Sequence, residues 1–133
     1  MMGRPTATKT ILEARAILLS GLRSFFEARQ SLEVEVPAIA KAPASDPWLD
    51  SFTVKDPAGL HVGYLLTSPE TYLKRLLSEY QFAIHAIGKA YRANDEGSEH
   101  AIEFTMLEWY RPTSIRPFQA MVSEIQDLSL IHI

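Results

Sequence analysis

A carboxylate and a phenol, Glu108 and Tyr110, are two residues apart in the most informative stretch of the chain, residues 102–112. The alternation of residue types predicts a β-strand that carries Phe104 and Met106 on the same face as this pair. The opposite face is apolar except for one hydroxyl, in Thr105, Leu107 and Trp109. A carboxylate beside a phenol on a mostly apolar strand is typical of a pocket for a cationic, amine-bearing ligand. The alternative is an edge strand with one face in water.

A second candidate group is Ser68-Pro69-Glu70, which stands between a predicted strand and a predicted helix. The Ser68 hydroxyl suits a helix cap, Pro69 suits the first turn, and Glu70 favours the positive end of the helix. Such a helix start needs no ligand, so capping alone is one interpretation. The other is that Glu70 stabilises the helix and binds a ligand at once.

Arg92 and Phe104 are the third candidate group, on the two strands of a predicted hairpin. A fixed guanidinium is well suited to stabilise charge that builds on a phosphate. Arg92 taken alone is more typical of a solvated charge, or of an ion pair with Asp95 or Glu96. A phenylalanine at this position is likewise more often part of a core than a platform for a ligand.

The elements that must position these groups are mixed helices and strands. Apolar residues at three- and four-residue spacing predict an amphipathic first helix, and Pro and Gly positions separate the later segments. The predicted helices cover residues 8–30, the segment that starts at 67–70, and the segment from 118. The predicted strands cover residues 32–36 and 60–66 and the long hairpin 82–110. This order predicts an α+β fold.

Composition excludes several classes of protein. The chain has 133 residues, a net charge of −3 and no cysteine, which favours one globular domain in a reducing compartment, without a disulfide framework. The acidic balance argues against a nucleic-acid-binding platform. No signal peptide and no bilayer-spanning apolar run is present, so we expect a cytoplasmic protein. No P-loop motif exists, and metal-ligand spacing is absent among the histidines, His61, His85, His100 and His132.

In order and spacing, the three candidate groups resemble the catalytic domain of class II aminoacyl-tRNA synthetases of the lysyl type. The resemblance is greatest to the synthetase-like ligases that modify elongation factor P, and it runs from about residue 7 to residue 127. Residues 23–37 are similar to motif 1, and residues 91–104 to motif 2. The most specific pieces are residues 67–77 and 103–112. An anticodon-binding barrel precedes motif 1 in lysyl-tRNA synthetases, and here motif 1 begins near the first residue, which favours the ligases.

The resemblance implies an antiparallel sheet flanked by helices and an ATP-dependent adenylation of a lysine-type amino acid, followed by transfer to a lysine of elongation factor P. It implies that Arg92 is catalytic, at the α-phosphate of ATP. Phe104 would stack on the adenine, and Asn94 would contact the nucleotide. The residues implied to bind the amino acid are Ser68, Pro69, Glu70, Glu108 and Tyr110. Mg²⁺ accompanies ATP in the family, and its ligands are expected outside this chain.

Three positions depart from the family pattern of motif 2, and at the first of them Ala93 stands where the family has an asparagine. Asn94 stands where the family has a glutamate that contacts the adenine amine, and Ala101 stands where it has an asparagine. Asn94 can still form a hydrogen bond, whereas the Ala101 side chain cannot. These changes favour an alternative in which the chain is a synthetase-like binding or dimerisation module without catalysis. A fragment of a lysyl-tRNA synthetase is the third interpretation.

The expected organisation is a lead over residues 1–7, the N-terminal part of a catalytic domain over residues 8–127, and an artificial tail over residues 128–133. The tail resembles a translated adaptor used in sequencing libraries. The glycine-rich motif 3 of the family is not found, so we expect a domain truncated before it. By resemblance the intact protein is a homodimer that pairs through residues 17–37. No membrane partner is expected, and tRNA is not the expected acceptor.

Overall fold

The computed structural model describes residues 6–93, 100–113 and 118–130. The predicted site residue Asn94, the ion-pair candidates Asp95 and Glu96, and parts of the predicted lead and tail lie outside these residues. The described residues contain three helices, α1 (Lys9–Glu27), α2 (Glu70–Tyr80) and α3 (Phe118–Ser129). Six strands accompany them: β1 (Leu32–Glu33), β2 (Ile39–Ala40), β3 (Thr53–Lys55), β4 (His61–Leu65), β5 (Ile84–Tyr91) and β6 (Glu103–Tyr110). The mixture confirms the predicted α+β class.

The first sheet has the order β1-β5-β6 and contains the predicted hairpin. β5 and β6 are antiparallel in an unbroken register from Ile84↔Tyr110 to Tyr91↔Glu103, whereas β1 is parallel to β5. Because the register has no bulge, the alternation predicted from residue types holds along all of β6. The hairpin therefore fixes which side chains share a face.

Each face of this sheet packs against a different helix. On one face, Leu73 of α2 packs with Ile84 and Ala86 of β5, and Tyr110 lies against this cluster. On the other face, the buried Phe26 of α1 stacks on His85, with ring centroids 4.7 Å apart. The face that carries Glu108 is therefore the α2 face, and a helix lies next to the candidate site.

The second sheet is antiparallel, with the order β2-β4-β3. The predicted strand 32–36 is shorter than expected, because the chain leaves the first sheet after Val34 donates to the His85 carbonyl. It then joins the second sheet, where Ile39 pairs with Leu65. Pro37 lies at this crossing and has no N–H to continue a ladder, which explains the early end of β1.

The first helix matches its prediction in extent but not in burial. Thr8 caps it through a hydrogen bond from the Ile11 N–H, and Ala28 follows its last residue. Only Phe26 of α1 is buried, near the end of the helix, although Arg15 in its first half donates a hydrogen bond to Thr105 of β6. Large apolar side chains of its first half, Ile11, Leu12 and Ile17, are more than half exposed.

An ion-pair network attaches α3 to the rest of the chain. Arg111, just after β6, donates from Nε to Glu124 Oε2 at 2.7 Å. Arg29, just after α1, donates to Asp127 Oδ2 at 2.9 Å and approaches Glu124 as well. Arg111 and Glu124 are 5% and 1% exposed, so this is a buried pair that links three elements.

Among the described residues, no helix has the length and apolar character needed to span a membrane.

Candidate amino-acid and nucleotide site

The polar pair of β6 is joined by a direct contact. Tyr110 Oη donates a hydrogen bond to Glu108 Oε2 at 3.2 Å. Across the sheet, Glu108 pairs with Ala86 and Tyr110 with Ile84, so small and aliphatic residues of β5 flank the polar pair. Both polar side chains are half-buried. The sequence predicted that the two residues share one face of a strand, and the register confirms this. Their binding of a cationic ligand stays a prediction.

The start of α2 brings the second candidate group to the same face. The Ser68 hydroxyl hydrogen-bonds to Glu108 and also accepts the Glu70 N–H at 3.3 Å. Pro69 is the residue before the helix, and its carbonyl accepts the N–H groups of Tyr72 and Leu73, each at 3.0 Å. The helix cap is Pro69, so the prediction that Ser68 caps α2 and that Pro69 lies in its first turn was wrong by one residue. The predicted role of Ser68 in binding a substrate stays a prediction.

The electrostatic coupling of these groups is visible in two shifted pKa values. Burial raises the pKa of Glu108 above its ordinary value of 4.5, and the nearby Glu70 raises it further. Hydrogen bonds from Tyr110 and Ser68 and the charge of Lys74 act in the opposite direction. The pKa of Tyr110 is also raised, by burial and then by the charges of Glu108 and Glu70. The phenol is thus held as a neutral donor, and the two carboxylates attract a cation.

A cavity of about 450 Å³ opens beside this group. Ser68 and Glu70 line it at the start of α2, and the loop after β2 lines it from the other side with Lys41 and Asp46. The loop is held by its own bonds: Asp46 Oδ1 accepts the Trp48 N–H at 2.9 Å, and Ser51 Oγ accepts the Ala44 N–H at 3.1 Å. The volume is that of a site for a small organic molecule. No helix or strand was predicted for this segment, and nothing in its composition indicated that it lines a cavity.

Arg92 and Phe104 are brought together as the hairpin predicted. The guanidinium carbon of Arg92 lies 5.1 Å from the Phe104 ring centroid. The backbone N–H of Arg92 donates to the Ile102 carbonyl at 3.0 Å. Phe104 lies four residues before Glu108 on the same face, which is a separation of about 13 Å at about 3.3 Å per residue. An aromatic ring with an adjacent cation at one end and two carboxylates at the other define the two ends of the candidate site.

The described residues contain no group of three or more His, Asp or Glu side chains that could hold a metal ion. Lys74 belongs to the motif segment 67–77, but no role in the site was predicted for it. It lies one turn after Glu70, where a lysine is typical of the solvent face of a helix. Its ion pair with Glu70 could have been expected from the four-residue spacing, but its proximity to Glu108 depends on how α2 packs on the sheet.

Comparison with known proteins assigns the class. The family model of class II tRNA synthetases (D, K and N) matches residues 1–125, and the chain belongs to this family. The fold agrees, since asparaginyl-tRNA synthetase of Entamoeba histolytica in complex with asparaginyl-adenylate superposes with a TM-score of 0.72 at 21% identity. That match covers 90% of this chain and 25% of the synthetase chain.

Within the family, the chain is similar to proteins named elongation factor P–(R)-β-lysine ligase. It is 42% identical over 113 residues to that of Photobacterium profundum, a match covering 82% of this chain and 35% of the relative. Over 129 residues it is 42% identical to that of Pseudoalteromonas translucida, a match that covers 93% of this chain and 39% of the relative. Identity to the Vibrio cholerae ligase is 43% over 114 residues, a match that covers 80% of this chain and 34% of the relative. The chain thus spans little more than a third of these relatives.

Proposed function

We propose that the chain is the amino-acid-binding and nucleotide-binding portion of an ATP-dependent ligase that acts on elongation factor P. The observation that carries this proposal is the single strand face of β6, with Phe104 next to Arg92 at one end and Glu108 bonded to Tyr110 at the other. The similarity to ligases of this name supports the choice of substrates. The substrate is a lysine-type amino acid, with (R)-β-lysine as the first candidate.

The amino-acid end recognises two separated amino groups. Glu70 and Glu108 supply two negative charges on adjacent elements, and each can pair with an ammonium group. Tyr110 and Ser68 hold the Glu108 carboxylate, which keeps its oxygens aimed at one place. Pro69 is buried and fixes the turn that presents Ser68 and Glu70. A ligand with a neutral side chain, such as norleucine, would form one ion pair with the two carboxylates instead of two and would bind more weakly.

The nucleotide end suits ATP in the same chemical terms. Phe104 offers a ring on which a purine can stack, and Arg92 beside it offers a delocalised cation for a phosphate. Asn94, two residues after Arg92, is proposed to contact the nucleotide too. Mg²⁺ neutralises charge on the phosphates of ATP when it is bound, and we assign it no ligand here.

The reaction then has two balanced steps. A carboxylate oxygen of the amino acid attacks the α-phosphorus of ATP, and the bond to pyrophosphate breaks, so an acyl-adenylate forms. Arg92 stabilises the negative charge that builds on the α-phosphate. A neutral lysine amine of elongation factor P then attacks the acyl carbon, an amide forms, AMP leaves with the bonding electrons, and the amine nitrogen loses one proton to water.

We further propose that the intact protein is a cytoplasmic homodimer that pairs through residues 17–37. Exposed apolar side chains support this, since Ile17 of α1 and Leu32 of β1 are 60% and 55% exposed. Apolar area of this kind at a helix-and-strand surface is typical of a subunit contact. No membrane or tRNA partner is proposed.

The proposal is tested by calorimetric titration of the chain with stable sulfamoyl analogues of acyl-adenylates. The lysyl analogue should bind at least tenfold more tightly than lysine, because it occupies both ends of the site, and about tenfold more tightly than the norleucyl analogue. Equal affinity for the two analogues would refute the lysine-type substrate. Binding of lysine without any gain from the adenosine part would instead indicate the non-catalytic binding module that Ala101 favours.

A further inference from the structure

Lys74 places a positive charge inside the group of carboxylates that is proposed to bind the substrate. It lies four residues after Glu70 on α2, and its ammonium group contacts Glu70 Oε1. Its charge also acts on Glu108, in the direction opposite to that of Glu70. The amino-acid end therefore has two carboxylates and one internal ammonium, with the Tyr110 phenol as a neutral donor.

The two carboxylates differ in whether a cation is already in contact with them. Glu108 is half-buried and already holds hydrogen bonds from Tyr110 and Ser68, but it has no cation in direct contact among the described residues. Glu70 is about half exposed and is paired with Lys74, which is 59% exposed at its side chain. A ligand with one amino group can use Glu108 and leave the second pair intact. A ligand with two amino groups must also engage Glu70, where Lys74 is its competitor.

We propose that Lys74 is a specificity-determining counter-ion, which occupies Glu70 in the free protein and is replaced there by the second amino group of a diamino acid. The proposal rests on the proposed function, because it takes this group as the amino-acid site. Its physical consequence is a charge balance that is preserved on binding. Glu70 is never left without a cation, and the exposed Lys74 ammonium returns to water at little cost.

The exchange predicts how strongly the site distinguishes ligands by their number of amino groups. In Lys74→Met, a diamino acid meets no competitor at Glu70, so its affinity rises more than that of a monoamine. The ratio of lysine affinity to that of norleucine or 6-aminohexanoate should rise about two- to fivefold, which is the range for a half-exposed ion pair. In Lys74→Met, lysine binding should also begin at a higher pH than in the wild type. The reason is that the charge of Lys74, which favours the ionised form of Glu108, has been removed.

The experiment is calorimetric titration of the full chain with lysine, norleucine and 6-aminohexanoate at several pH values. Lys74→Arg retains the charge and should restore the wild-type affinity ratio. The matched control is Lys9→Met, which removes another four-residue lysine–glutamate pair, with Glu13 on α1 at 3.2 Å. It should lower the unfolding midpoint about as little as Lys74→Met does and leave ligand binding unchanged.

An unchanged affinity ratio in Lys74→Met would overturn the inference while wild-type lysine binding kept the proposed function intact. The same ratio change in Lys74→Arg as in Lys74→Met would overturn it too, because the charge would then not be the cause. If the wild-type chain binds none of the three ligands, the proposed function and this inference both fail.

Discussion

Tyr110 Oη and Glu108 Oε2 are 3.2 Å apart, and the phenol is the donor. The two residues are separated by one position on β6, so the contact is built within one strand and needs no long-range loop to form it. It gives the carboxylate a fixed direction beside the start of α2. Burial alone would favour the protonated carboxyl, and the phenol acts against that tendency.

Tyr110→Phe should weaken lysine binding and shift its pH dependence. Without the phenol donor, the pKa of Glu108 rises further above 4.5, and a smaller fraction of the carboxyl is ionised at mildly acidic pH. We expect a roughly three- to tenfold loss of lysine affinity, measured by calorimetry between pH 5 and pH 8. Tyr80→Phe, at an exposed tyrosine of α2, is the control. Equal affinities for both variants at every pH would contradict the role given to Tyr110.

His85 should make the folded chain less stable in acid. The ring is 2% exposed, its Nδ1 lies 3.2 Å from Ser31 Oγ, and burial lowers its pKa below 6.5. Between the folded pKa and 6.5 the unfolded chain binds the proton more strongly, so the free energy of unfolding rises with pH across this window. Below the folded pKa the loss is complete and the slope from this group ends.

The variant that isolates this effect is His85→Gln, which should flatten the pH dependence of urea unfolding between pH 5 and 7. His61→Gln, at an exposed histidine of β4, should leave the slope as it is. A wild-type slope in His85→Gln would show that another group governs acid stability.

The buried pair of Arg111 and Glu124 should be sensitive to the loss of either partner. Glu124→Gln leaves the Arg111 guanidinium without its compensating charge in a site where both side chains are almost inaccessible to water. We expect a loss of about 3–5 kcal/mol in the free energy of unfolding by urea. The double variant Arg111→Met with Glu124→Leu should lose less than either single variant. A larger loss in the double variant would indicate that the pair contributes through packing and not through charge.

Gly63 of β4 should not tolerate a side chain. A Cβ there would lie 2.4 Å from the Ala40 carbonyl oxygen and 2.8 Å from Ile39 Cγ2, so β2 would have to move. Because β2 leads into the loop that lines the cavity, Gly63→Ala should lower both the unfolding midpoint and lysine affinity. Gly88→Ala is the matched control, since a Cβ there meets nothing within 4 Å. Equal behaviour of the two variants in thermal unfolding would contradict the close packing of β2 on β4.

The sequence predicted β6 well because a long strand with strict alternation leaves little freedom in assigning its faces. It also predicted α1 from its apolar periodicity, to within three residues at each end. Periodicity shows which side of a helix is apolar but not what covers it, so the exposure of Ile11 and Leu12 was not foreseen. The predicted length of β1 was wrong. The strand ends early because the chain crosses from one sheet to the other, and this crossing depends on tertiary structure and not on local sequence.

The residues of the site also fall into those that the sequence predicted and those that it did not. Ser68, Glu70, Glu108 and Tyr110 were predicted as a group through resemblance, and the structure places them on adjacent elements of one face. No role in the site was predicted for Lys74, which lies in the motif segment 67–77, or for the loop after β2, because a lysine on a helix and a loop of small residues have many ordinary explanations. Their positions depend on the packing of α2 against the sheet, which no local pattern encodes.

The most direct test of the central claim is titration of wild-type chain and Glu108→Gln with lysine and norleucine at neutral pH. If Glu108 pairs with an amino group of the substrate, the wild type binds lysine more tightly than norleucine. Glu108→Gln then loses about 10- to 100-fold in lysine affinity, which is the range for a hydrogen bond to a charged group. Its unfolding midpoint should not fall, because the neutral amide has a smaller desolvation cost. Unchanged lysine affinity in a folded Glu108→Gln would contradict the account.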